Sequence, residues 1–236
     1  MQQFKKDCER FAKYLLDASP YKENKDKINI WGIEAVSFDS GTDIPAEDVW
    51  KRTAVGTSFY TFYSERYLMT YDNKTLHDIA ANAPYDQIFI LVNTDKYGGG
   101  GIYNFYSTCS ANNFYSDYVS THEFGHTFAG LGDEYYTSEV PTENFYPKDL
   151  EPWEPNLTTL VNFAKKWKNM IGKNVPIPTP ETDTYKDTIG VYEGGGYEPK
   201  GVYRPMQDCS MKSLSYNIFC PVCKKAIQNM IDFYTE

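Results

Sequence analysis

The run His122-Glu-Phe-Gly-His126 constrains this chain more than any other, because it makes chemical sense only on a helix. Residues four apart on an α-helix lie about one turn apart on one face, so both imidazoles can meet a single ion at about 2 Å. Glu123 sits about 100° further round the axis, where it does not join the same ligand shell but can reach a water on that ion and accept its proton. A metal of this kind lowers the pKa of its water toward about 7, so a carboxylate suffices as general base. The surroundings agree with a helix that starts at Ser116 or Asp117, either of which can cap it, and that ends by Gly130.

The chain has three histidines, and the remaining one, His77, falls on another predicted helix as an exposed residue. A hydrolytic zinc site keeps three protein ligands and one open position, so the third ligand is expected to be a carboxylate. It could follow the helix at once, or lie about 20 residues downstream on a second helix, as in thermolysin-like enzymes. The first arrangement fits better. Gly130 and Gly132 can turn the chain through positive φ without steric cost, and Asp133 and Glu134 come next. Around Glu139 and Glu143, by contrast, Pro141 and Pro147 discourage a second helix. Asp133 is the first choice for the third ligand and Glu134 the alternative.

Upstream, Phe4, Cys8, Phe11 and Leu15 stand at helical spacing within 3 to 17, before Ser19-Pro20. The alternating run 28 to 38 predicts a strand, as do 58 to 63, 67 to 70 and the apolar 87 to 93, the last read as buried on both faces. A helix is expected over 72 to 83, closed by Pro84. The glycines 98 to 101 are expected to break the chain before a strand at 102 to 107. This alternation predicts an α/β class, with residues 1–135 as a lobe in which a helix directly follows the sheet. Residues 136–236 then form a smaller, loop-rich and mostly helical lobe, with helices at 156 to 171 and about 221 to 233 and a loop over 174 to 205. The two lobes together make one catalytic domain. The strand at 102 to 107, with Ile102, Tyr103, Asn104 and Phe105, is a candidate exposed edge to which an extended peptide could add; the other reading is a buried strand after a flexible turn.

Composition narrows the partners. A formal charge of -9 repels nucleic acid and anionic lipid at long range, so no nucleic-acid partner is expected. No transmembrane run and no secretory signal occur in the sequence given. The 21 tyrosines suit either a polymer-binding surface or a tyrosine-rich core and rim. The sequons at Asn73 and Asn156 matter only in a eukaryotic secretory route. Of five cysteines, Cys209, Cys220 and Cys223 cluster in sequence. Three thiolates lack a fourth ligand for a metal, so a disulfide from Cys209 to Cys220 or Cys223 is expected.

The segment His122 to Tyr135, HEFGHTFAGLGDEY, resembles the signature of the IgA-peptidase family of bacterial metallo-endopeptidases, of metzincin-type zincins. Two further segments carry the resemblance: GGGGIYNFYSTCSA at 98 to 111 and YRPMQDCSMKSLSYNIFCPVC at 203 to 223. It implies a Zn2+-dependent endopeptidase acting on polypeptides, with the active helix in an N-terminal zincin-type lobe built on a mixed twisted sheet, and a secreted or cell-surface location. The metal would be held by His122, His126 and Asp133, with Glu123 as catalytic base. It also implies a methionine beneath the metal, which Met211 matches best and Met206 second. The chain departs from the general metzincin spacing by one residue, since Gly130 and Asp133 fall one position late. Tyr216, Tyr135 and Tyr136 are the candidates for an oxyanion donor. The rival expectation is a protein- or glycan-binding module on the same scaffold, against which the intact Glu123 speaks. The natural substrate and the oligomeric state are not readable from the sequence.

Overall fold

The computed structural model describes residues 2–137 and 145–236. The chain divides into two compact units, residues 1–128 and 129–236.

In the first unit, helix α1 (Gln2–Asp17) turns Phe11 inward onto Cys109, Ala111, Tyr118 and Val119. Buried Asp7 takes a 2.7 Å hydrogen bond from Arg10, whose guanidinium also donates to the Ala111 carbonyl at 2.7 Å. Two short strands, β1 (Thr57–Ser58) and β2 (Met69–Thr70), pair antiparallel. Helix α2 (Asn73–Ala80) is capped by Asp72, which accepts from the Thr75 amide. A three-stranded sheet follows in the order β3 (Ile88–Val92), β5 (Tyr106–Ser110), β4 (Gly99–Ile102). It is mixed: β5 runs parallel to β3 and antiparallel to β4. Every residue of β5 is buried although its sequence is YSTCS. Three of its four hydroxyls are satisfied locally: Ser107 bonds Thr127 at 2.5 Å, Thr108 donates to the Leu68 carbonyl, and Tyr106 donates to the Thr70 carbonyl at 2.6 Å, while Ser110 Oγ has no partner among the described residues. Such small side chains let helix α3 (Ser116–Ala129) lie close over the sheet.

The glycine run explains that closeness and corrects an expectation. Gly99 to Gly101 do not break the chain but form most of β4. A Cβ at Gly99 would come within 2.6 Å of Val119 on α3, and one at Gly101 within 2.5 Å of the Glu123 carbonyl oxygen. On the opposite face a Cβ at Gly100 would meet the Met69 sulfur at 2.1 Å. Neighbours crowd this strand on both faces, so only glycine fits. The expected strand over 102 to 107 is accordingly split. Ile102 ends β4, Tyr103, Asn104 and Phe105 make the connecting turn with Asn104 at φ 53°, and β5 begins at Tyr106.

The alternating run 28 to 38 forms no strand. Trp31, Val36 and Phe38 are exposed, and alternation specifies a strand only where one face finds a core. Strand β3 is less buried than expected, with only Val92 fully covered.

In the second unit the expected helix over 156 to 171 is absent, replaced by 3-10 turns at Phe163–Lys165 and Lys168–Met170. Asn156 and Thr158 commit their side chains to loop contacts there, which compete with helix formation. The loop expected over 174 to 205 contains a hairpin, β6 (Tyr192–Gly195) with β7 (Glu198–Arg204), turning at Gly196 and Tyr197 with φ 57° and 65°. This unit is therefore not mostly helical. Its one α-helix among the described residues, α4 (Pro221–Thr235), buries Val222, Cys223, Ala226, Ile227 and Ile231 and starts at Cys220 with Pro221 in its first turn.

Candidate metal centre

Helix α3 brings His122 and His126 together as their spacing requires. Their Nε2 atoms stand 3.1 Å apart with the rings nearly perpendicular, at 85°. Two imidazoles on one tetrahedral zinc at about 2.05 Å would have nitrogens roughly 3.3 Å apart, so the pair fits a shared ion. His122 is buried and His126 half-buried, which leaves the pair reachable from one side. The Tyr118 hydroxyl lies 3.2 Å from His122 Nδ1 and fixes which nitrogen faces inward. Tyr118 was missed in the sequence, although its place four residues before His122 puts it on the same face.

Glu123, between the histidines, is half-buried. Its carbonyl accepts from Thr127 at 2.9 Å and from Ser107 at 3.4 Å, and its Cγ would lie 3.2 Å from a Cβ at Gly99. β4 thus locks the helical turn that carries the carboxylate. His77 takes no part: its Nδ1 lies 2.9 Å from the Tyr85 hydroxyl and its ring stacks on Phe105.

Beyond α3 the chain turns at Gly130, with φ 60° as expected. Gly132 serves differently, because a Cβ there would meet Leu157 at 2.5 Å; it permits close packing rather than a turn. Asn156 seals this segment by accepting from the Gly132 amide at 2.7 Å and donating to its carbonyl at 2.8 Å. Asn156 is fully buried, so its sequon is closed in the folded chain. Asp133 is buried, and its Oδ2 accepts a short hydrogen bond from Tyr197.

Glu134 points elsewhere. Fully buried, it accepts from Asn156 at 2.9 Å, and its Oε1 lies 3.3 Å from Cys223 Sγ. It belongs with Cys209, Cys220 and Cys223, whose ligand atoms and its own all lie within 4.8 Å of one another. The expected disulfide is thereby corrected. All five cysteines are free thiols, Cys209 Sγ and Cys223 Sγ are 3.8 Å apart, and a disulfide needs about 2.05 Å. Burial, with the Cys209 charge, pushes the Glu134 carboxyl well above the usual range. Burial also raises Cys209 and Cys223, whereas Cys220, despite its burial, is brought down to about 6 by hydrogen bonds from the other two thiols.

Met211 is fully buried, and its carbonyl accepts from the Glu134 amide at 2.7 Å; Met206 is slightly more exposed. Tyr135 packs edge-on against Tyr197, and Tyr136 lies under the Arg204 guanidinium, while Tyr216 is partly exposed. The expectation about Glu139 and Glu143 lies outside the described residues. Among the described residues no helix is long and apolar enough to cross a membrane.

No curated protein matches the chain. The family described as IgA Peptidase M64 matches residues 1–188 and 181–231, nearly the whole length. The chain therefore belongs to the IgA peptidase M64 family, and is a peptidase by that membership.

Proposed function

We propose that this chain is a zinc-dependent endopeptidase in which His122, His126 and Asp133 hold the metal and Glu123 is the general base. The observation that carries the reading is the 3.1 Å separation of the two Nε2 atoms beside a carboxylate on the same helical turn. Asp133 is favoured as third ligand because Glu134 is committed to the cysteines and Asp133 follows His126 by only seven residues, across the turn at Gly130.

When bound, zinc supplies Lewis-acid polarisation of the scissile carbonyl and activation of water. Glu123 accepts the proton of the attacking water and passes it to the leaving amine. Tyr118 holds His122 in one orientation, and Tyr197 does the same for Asp133. Met211 is assigned the apolar floor of the site by likeness to the family, a role its full burial suits. The lobe around α3 is read as zincin-type, and the protein as secreted or surface-bound, both by likeness to the family. For substrate, an extended polypeptide is assigned to the free edge of β4. Gly99 already bonds outward to residues 66 and 68, and Tyr103 to Phe105 turn back into β5, so Gly101, the next residue facing outward, is the backbone left for a guest strand.

The test is Glu123→Gln assayed on casein with metal content measured alongside. Turnover is expected to fall about 10²- to 10⁴-fold with zinc retained, the usual contribution of a general base. Unchanged cleavage would remove Glu123 from the chemistry, and absence of cleavage by the parent chain would return the fold to a binding role.

A further inference from the structure

We propose that Cys209, Cys220, Cys223 and Glu134 form a second, structural metal site that takes zinc. All four ligands come from the second unit, and none of them is assigned to the proposed hydrolytic centre.

The geometry is that of a closed tetrahedral site. Zinc with sulfur ligands at about 2.3 Å spaces neighbouring sulfurs roughly 3.8 Å apart, and sulfur from carboxylate oxygen roughly 3.6 Å. Cys209 and Cys223 Sγ are 3.8 Å apart, and Cys223 Sγ lies 3.3 Å from Glu134 Oε1. Glu134 supplies the fourth ligand that the cysteines alone lack.

Two further observations point to a bound cation rather than to packed thiols. Glu134 is fully buried, and its Oε2 has no hydrogen-bond partner among the described residues, a state that a buried carboxylate rarely tolerates without a counter-ion. The surroundings also donate to sulfur: the Cys220 amide points at Cys209 Sγ at 3.3 Å and the Cys223 amide at Cys220 Sγ at 3.5 Å. Amides aimed at sulfur, at the start of a helix, stabilise thiolates as outer-shell partners do around metals. Asn156 performs the same service for the carboxylate. Arg204 and Lys212 add positive charge that acts on Glu134 and moderates the excess negative charge of three thiolates and a carboxylate on one divalent ion. The ligand set, soft sulfur with one oxygen and no vacant position, suits zinc in a structural role.

The site would clamp three separate segments: the turn after α3, the loop before Met211, and the start of α4. Since Glu134 directly follows Asp133, an occupied site would hold Asp133 in place. That consequence rests on the peptidase reading above, whereas metal binding by the cysteines does not.

The experiment uses the whole chain loaded with cobalt in place of zinc, in the parent and in His122→Ala/His126→Ala. That double variant leaves the cysteine ligands untouched and is expected to keep one metal per chain with an intense near-ultraviolet sulfur-to-cobalt absorption. Cys220→Ser/Cys223→Ser should lose that absorption, and if it fails to fold the histidine variant still decides. Thiols are counted in parallel after unfolding with a chelator, and all five cysteines should react. A histidine variant without metal, two thiols missing from the count, or iron with inorganic sulfide in place of zinc would each overturn the proposal. A thiolate-bound metal in a chain that cleaves nothing would support it while sinking the peptidase reading.

Discussion

A methyl group at residue 101 would stand 2.5 Å from the carbonyl oxygen of Glu123, and both partners are backbone, so neither can swing aside. Gly101→Ala should therefore push β4 off the helical turn that carries the base. The expected cost is about 1–3 kcal/mol of stability, the usual range for overpacking, read by urea unfolding, together with a fall in peptidase activity. Gly172→Ala, where the nearest atom would be 3.5 Å away, is the control and should stay within about 0.5 kcal/mol. Equal effects at both positions would contradict the close approach. Tyr118→Phe removes the hydroxyl beside His122 Nδ1 and should weaken zinc binding about 10- to 100-fold, measured by competition with a chromogenic chelator. An unchanged affinity would mean that the hydroxyl does not orient the ring. His122, Glu123 and His126 were legible at this scale because helical spacing is a local property that few other contexts can mimic. Glu134 was legible only as a carboxylate in the right place. Its commitment to sulfur depends on residues 209, 220 and 223, which no local pattern connects to it.

Elements were legible where a periodic face meets a core and illegible where tertiary contact sets the conformation. α1, α2, α3 and α4 all stand close to their expected spans because each has a cap, a proline or an apolar stripe of its own. The glycine run read as a break, since nothing in its sequence reveals a helix on one side and Met69 on the other. Residues 28 to 38 alternate convincingly yet find no partner strand. The segment from 156 fails as a helix because Asn156 serves the chain at Gly132 instead of its own turn. Asn156→Ala tests that account. It leaves the buried Gly132 amide and carbonyl unpaired at about 1–3 kcal/mol each, so a loss of roughly 2–6 kcal/mol is expected by denaturant titration. A loss below about 1 kcal/mol would show that water or a rearranged turn replaces the side chain.

At the scale of the whole molecule, the two proposed metal sites, of different chemistry, would make different claims on stability and activity. Chelation should abolish cleavage and also lower the melting temperature, because metal that binds only the folded chain stabilises it by about 2.7 kcal/mol at 100 times its dissociation constant. Zinc added back should restore both. Acid should strip the cysteine site as its thiolates and Glu134 take up protons, so the thiolate absorption of the cobalt form should fade as pH drops. A signal that persists unchanged into acid would not come from thiolate ligands. The family match over nearly the whole chain establishes the class of reaction, whereas the bond that is cut depends on surface shape that neither spacing nor periodicity encodes.

The most direct measurement is an anomalous-difference map at the zinc edge on crystals of the zinc-loaded Glu123→Gln chain. A peak about 2.0–2.1 Å from both histidine Nε2 atoms, with an Asp133 oxygen at similar distance and one position open, is the predicted result. Rings turned apart with no peak between His122 and His126 would contradict the proposed catalytic centre.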